Sequence, residues 1–96
     1  MTRRAHKIDT NQPAIVLALR KAGLSVAITS ALGDGFPDIV AGKDGVNYLL
    51  EIKNGKAGLT DDEVKFSRGW LGHYAIVRSV QEAYEVCGVP EWTPPF

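Results

Sequence analysis

Gly35-Phe36-Pro37-Asp38-Ile39-Val40-Ala41-Gly42-Lys43-Asp44-Gly45-Val46-Asn47-Tyr48-Leu49-Leu50-Glu51-Ile52-Lys53 decides how this chain folds. Ile39-Val40-Ala41 and Tyr48-Leu49-Leu50-Glu51-Ile52 both read as strands, rich in β-branched, aromatic and aliphatic residues. Asp44-Gly45 lies between them. Asp-Gly is among the strongest two-residue hairpin signals, because both central positions of a type I′ turn need positive φ. That turn pairs Lys43 with Val46 and Ala41 with Tyr48. Continuing the count sets Asp38 opposite Glu51, whereas a three-residue loop would set it opposite Leu50. Side chains alternate along a strand, so Asp38, Val40, Leu49, Glu51 and Lys53 fall on one face.

Two carboxylates directly opposite would lie roughly 5 Å apart and repel each other. A divalent cation between them turns repulsion into binding, since hard cations take carboxylate oxygens. Lys53 on the same face completes the parts needed for metal-assisted phosphodiester cleavage. It would orient or deprotonate the attacking water and offset charge building on the phosphate. Spacing alone is a weak signal and fits better an exposed hairpin on which Glu51 and Lys53 are merely solvated.

Upstream, Gln12 to Ala22 reads as a helix. Asn11 or Asp9 can cap it, Pro13 suits its first turn, Gly23 follows its end, and Arg20 and Lys21 complement its last turn. Leu24 to Ser30 alternates as a strand with Leu24, Val26 and Ile28 on one face. The turn-rich Leu32 to Pro37 connection delivers Asp38, with Gly33 and Gly35 expected at positive φ. No third glycine and no helix start follow, so the dinucleotide fingerprint fails and no nucleotide cofactor is expected.

Downstream, Asn54 to Gly58 forms a loop, and Thr60-Asp61-Asp62-Glu63 is a capping box. Its helix should run to about Trp70, with Val64 and Phe66 or Ser67 toward the core. Tyr74 to Arg78 is a fourth strand, and Ser79-Val80-Gln81-Glu82 a second capping box opening a last helix that Gly88 ends. The order predicts an α/β fold: a central mixed sheet containing the hairpin, flanked by helices. Residues 1–8 read as a basic arm. Residues 89–96 read as a Pro/aromatic tail that cannot be regular structure, with Trp92 and Phe96 suited to a dimer contact.

At 96 residues, with 45% hydrophobic and 23% charged residues, the chain reads as one ordinary globular domain spanning 1–96. No run approaches the ~18 apolar residues of a membrane span, and Met1-Thr2-Arg3-Arg4 leads into no signal-peptide core. Cys87 is the only cysteine, which suits a reducing, cytoplasmic setting and a buried small side chain better than a nucleophile. Zero net charge argues against a generic nucleic-acid coat. It leaves room for an enzyme with local basic surface, for which Arg3, Arg4, Lys56, Lys65 and Arg68 are candidate phosphate contacts. His6 and His73 lack a metal-ligand spacing. Trp70 and Tyr74 read as core rather than base-stacking platforms.

An α-β-β-β-α-β order with Pro37-Asp38 on the second strand and Glu51-Ile52-Lys53 on the third resembles the PD-(D/E)xK nuclease superfamily. More narrowly, the chain is similar to small stand-alone VRR-Nuc domains of phages and bacteria, from about Lys7 to Glu85. Further carriers are Asp9-x-Asn11-Gln12, Leu19-Arg20-x-x-Gly23, Gly33-x-Gly35, Leu59-Thr60, the Phe66 to Trp70 pair and Val77-Arg78-Ser79. Ser79 departs from the usual Val-Arg-Arg, and the glutamate often seen on the first helix is missing.

The resemblance implies a restriction-endonuclease-like core. It implies Mg²⁺ or Mn²⁺ held by Asp38, Glu51 and the Ile52 backbone carbonyl, with Lys53 catalytic. Asp9, Asn11 and Gln12 are candidates for the missing metal-side place, and Glu63 is a further candidate near the site. The implied activity is cleavage of branched DNA, such as four-way junctions, by a homodimer. The alternatives are a nuclease nicking duplex or flap DNA, or a non-catalytic DNA-binding module on the same fold.

Overall fold

The computed structural model describes residues 10–90. Arg3, Arg4 and Asp9, the expected basic arm and most of the expected tail lie outside the described residues. The chain forms helix α1 (Gln12–Lys21), strand β1 (Ser25–Ile28), a 3₁₀ turn (Ser30–Leu32) and strands β2 (Ile39–Lys43) and β3 (Val46–Ile52). Helix α2 (Asp61–Gly69), strand β4 (Tyr74–Val77) and helix α3 (Val80–Cys87) follow. The fold is α/β, with a four-stranded mixed sheet in the order β1-β2-β3-β4.

The hairpin forms through the expected turn. Asp44 and Gly45 take φ of 54° and 80°, the left-handed region that a type I′ turn demands. Lys43 pairs with Val46 and Ala41 with Tyr48. β1 adds antiparallel to β2, and β4 adds parallel to β3, for which α2 and its loops supply the crossover.

The sheet's two faces differ in chemistry. Ile39, Ala41, Leu50 and Ile52 join Ile15, Leu19, Val77, Ala83 and Cys87 in the hydrophobic core beneath α1 and α3. Leu49 and Glu51 of β3, and Lys53 just past its end, are buried on the other face, toward α2. The most buried residue of α2 is accordingly Glu63, while Val64, Phe66 and Ser67 are only half-buried. Phe66 packs between Phe36 and Trp70, with ring centroids 5.2 Å away on each side.

Local chemistry explains the departures from expectation. β1 is shorter than Leu24 to Ser30, and Ile28 is exposed, because the chain turns into the 3₁₀ segment as soon as pairing with β2 stops. Asn11 occupies the N-cap position of α1 without capping it through its side chain. The first capping box closes in both directions. The second closes by half: Ser79 accepts from the Glu82 N–H, but Glu82 reaches one residue further back, to the Arg78 N–H at 2.6 Å. Among the described residues, no helix is long and apolar enough to cross a membrane.

Candidate active site

Asp38 enters β2 from a connection pinned to β1. Thr29 donates its N–H to the Asp38 carbonyl at 2.8 Å and its hydroxyl to the Pro37 carbonyl at 2.7 Å. Strand pairing between β2 and β3 ends at Ile39 and Leu50, one step short of the expected Asp38–Glu51 pair. The Asp38 N–H instead donates to the Leu50 carbonyl at 3.1 Å, and the Asp38 carboxylate accepts the Ile52 N–H at 2.7 Å. The side chain thus serves as the acceptor that the strand backbone no longer offers.

The two acids still meet. Asp38 and Glu51 are 2% and 1% exposed, and their carboxyl groups are hydrogen-bonded to each other. Burial, the Asp38 charge and hydrogen bond, and the Glu63 charge push the Glu51 carboxyl up to about 9, against the pull of Lys53. The site thus favours the protonated form of Glu51. Among the described residues its buried Oε1 has no hydrogen-bond partner, a costly arrangement for a carboxyl oxygen. A hard divalent cation fits this pair, because it would replace the proton and occupy the orphaned oxygen.

Among the described residues, no three His, Cys, Asp or Glu side chains gather as a ready metal cage. The donors are two carboxylates, to which neutral oxygens must be added. Gln12 at the start of α1 is 4% exposed, and its Oε1 is also buried without a partner among the described residues. Beside it, Asn11 Nδ2 donates to the carbonyls of Lys53 and Arg78, each at 3.1 Å, and the Asn11 N–H to Asn54 Oδ1 at 3.3 Å. Asn11 therefore fastens the end of β3 rather than capping its own helix. Ile52, the other expected donor, is fully buried between Glu51 and Lys53.

Lys53 lies on the acid face with its ammonium 2.8 Å from Glu63 Oε1 and 3.7 Å from Glu51 Oε2. Burial pushes the Glu63 carboxyl upward, but hydrogen bonds from Lys53 and the Thr60 N–H, with the Lys53 charge, outweigh it and hold the group below its ordinary value. The Gly33 to Gly35 connection explains how α2 comes so close. Gly35 has φ of 78°, and a Cβ there would collide with the Asp62 carbonyl in the first turn of α2.

Tyr74, read from the sequence as core, belongs to this face. It opens β4 opposite Leu49, and its hydroxyl is buried without a partner. Burial, then the charges of Glu51, Glu63 and Asp38, push that hydroxyl up to about 12. The signal for it was the position's alternation with Glu51, visible only once the parallel β3–β4 register is known. Arg78 does not turn to the acids and, among the described residues, forms no ion pair; its Nη1 donates to the Gly55 and Ala57 carbonyls, each at 2.8 Å, and holds the loop after Lys53. Lys56, Lys65 and Arg68 are exposed, on that loop and on α2. Cys87 is buried in the core, as expected. No family model matches the sequence, and no curated protein matches it either.

Proposed function

We propose that this chain is a metal-dependent endodeoxyribonuclease that hydrolyses phosphodiester bonds in branched DNA, a small VRR-Nuc-type member of the PD-(D/E)xK superfamily with a restriction-endonuclease-like core. The observation that carries the proposal is the buried Asp38–Glu51 pair, with one Glu51 oxygen unpartnered among the described residues and Lys53 beside it on the same face. A purely structural face would gain more from apolar residues than from two acids that must share a proton. A DNA-binding surface would gain nothing from acids where phosphates must sit.

Asp38, Glu51 and the Ile52 carbonyl would hold Mg²⁺ or Mn²⁺, with the Gln12 amide oxygen as the neutral donor from α1. The chemistry supplied by the metal when bound is polarisation of the scissile phosphate and a lowered pKa for the attacking water. Asp38 keeps the end of the hairpin closed through Ile52, so its carboxylate is oriented by the strand itself. Lys53 brings its ammonium to the acid face, where it orients the water and offsets charge on the phosphate. Lys56, Lys65 and Arg68, with Arg3 and Arg4, would take flanking phosphates. Action as a homodimer would place two such sites for symmetric cutting of a junction.

The test is cleavage of a labelled four-way junction beside its matched linear duplex, with Mg²⁺, Mn²⁺ or EDTA, using the native chain and Lys53→Ala. Junction cutting that requires both metal and Lys53 is the expected result. Metal-dependent cutting of duplex alone would retain the chemistry and reject the junction preference. DNA binding that ignores EDTA, with no cutting of junctions, duplexes, flaps or single strands, would reject the nuclease reading in favour of a binding module.

A further inference from the structure

We infer that Glu63 is a positioning residue for Lys53, and that the capping box of α2 is the device that holds it in place. This inference rests on the nuclease reading. An N3 glutamate in a capping box ordinarily sits at a solvent-exposed helix start and needs only to accept the N-cap N–H. Here Glu63 is 6% exposed, and its Oε1 does two things at once. It accepts the Thr60 N–H at 2.9 Å and the Lys53 ammonium at 2.8 Å.

The geometry divides the labour between the two glutamates around Lys53. Glu63 is nearer the ammonium than Glu51, which stands at 3.7 Å. Glu51 is the weaker of these two contacts, and a cation engaged by its carboxylate would weaken it further. Glu63 supplies an attachment from a different element, the first turn of α2. Glu63 Oε1 accepts from both the Lys53 ammonium and the Thr60 N–H, so the oxygen that holds the lysine is itself held by the helix start. Its own placement is fixed three ways: the box holds its side chain, Thr60 Oγ1 accepts the Glu63 N–H at 3.2 Å, and α2 abuts Gly35 with no room for a Cβ. A flexible four-carbon side chain is thereby aimed by a helix terminus. Misplacing a reacting group by about 1 Å costs on the order of 100-fold in rate, so such an aim matters for turnover.

The test compares wild type, Glu63→Gln, Glu63→Ala and Thr60→Ala in cleavage of the DNA substrate that the wild-type chain cuts, at saturating Mn²⁺. Glutamine is accepted at the N3 position of a capping box, so Glu63→Gln should fold while losing the charge that holds Lys53. The expected result is a kcat lowered on the order of 10- to 100-fold with KM changed by less than about twofold. Glu63→Ala should be no more active than Glu63→Gln. Thr60→Ala removes the hydroxyl that accepts the Glu63 N–H but keeps the Thr60 N–H on Glu63 Oε1, so it should lower the melting temperature and lower kcat less than Glu63→Gln does.

A second measurement needs no cutting. A double-mutant cycle of Glu63→Gln with Lys53→Met, followed by urea unfolding in EDTA, should show coupling of at least about fivefold in the unfolding equilibrium constant. Wild-type cutting with an unchanged kcat for Glu63→Gln, or strict additivity in the cycle, would overturn the positioning role and leave the nuclease reading standing. A wild-type chain that cuts no DNA would overturn the nuclease reading, and this role in catalysis with it, even if the cycle shows coupling.

Discussion

Glu51→Gln should make the metal-free protein more stable, and by an amount that grows with pH. The Glu51 carboxyl is raised from its ordinary 4.5 to about 9, first by burial and then by Asp38. Between those values the folded protein keeps a proton that the unfolded chain releases. Stability must therefore fall as pH rises through that window, by about 1.4 kcal/mol per unit for a single group. At pH near 7.5, three units above the ordinary value, the accumulated loss is about 4 kcal/mol, a large share of a small domain's typical ~5–15 kcal/mol. Glutamine has the shape of the protonated acid and no proton to release, so it removes the slope without leaving a cavity.

Urea unfolding in EDTA across pH from about 5 to 8.5 would measure this, with wild type and Glu51→Gln run side by side. The two should nearly coincide at the acid end, and the mutant should be more stable by several kcal/mol at the alkaline end. Other carboxylates titrate in both proteins and cancel in the difference. Mn²⁺ at about 100 times its dissociation constant should then restore about 2.7 kcal/mol to the wild type and nothing to the mutant. Parallel pH profiles, or equal stabilisation of both proteins by Mn²⁺, would refute the account of Glu51 as a buried acid held back by its pair.

Asn11→Ala should cost about 1–3 kcal/mol, because it strips two buried-side carbonyls of their donor, and should lower cleavage more than its stability loss explains; denaturant titration and turnover at a temperature where both proteins are folded would separate the two effects. Gly35→Ala should destabilise by at least about 1–2 kcal/mol from positive φ alone, with more from the collision with Asp62, and an unchanged melting temperature would count against the packing described for α2. The Cys87 thiol, pushed up to about 11 by burial, should resist iodoacetamide at pH near 8 in the folded state and react readily in urea, as mass spectrometry would show.

The hairpin was legible because its signals are local. Asp44-Gly45 dictates a turn type, the turn dictates the register, and the register collects Asp38, Glu51 and Lys53 on one face. The Thr60 box was legible for the same reason, since cap and partner are three residues apart. What sequence could not give depends on contacts across the fold. Asn11 has the identity of a cap, yet carbonyls 42 and 67 residues away claim its amide. Glu82 passes over the expected N–H for one at the end of β4. Tyr74 sides with the acids only through a parallel pairing, which no turn specifies. Asp38 stops short of a backbone pair with Glu51 because its carboxylate competes successfully for the Ile52 N–H.

The Asp44-Gly45 turn is exposed at the opposite end of the hairpin from the acids, yet it is the ruler that measures out their meeting. Such a turn can be repainted but not resized. Any pair of residues comfortable at positive φ would serve there, whereas one residue gained or lost would slide every side chain of β3 to the wrong face. Variation among descendants of this chain should accordingly be generous in lettering at these positions and strict in number. An engineer wishing to silence the site without touching a single acid would begin by inserting a residue at that turn.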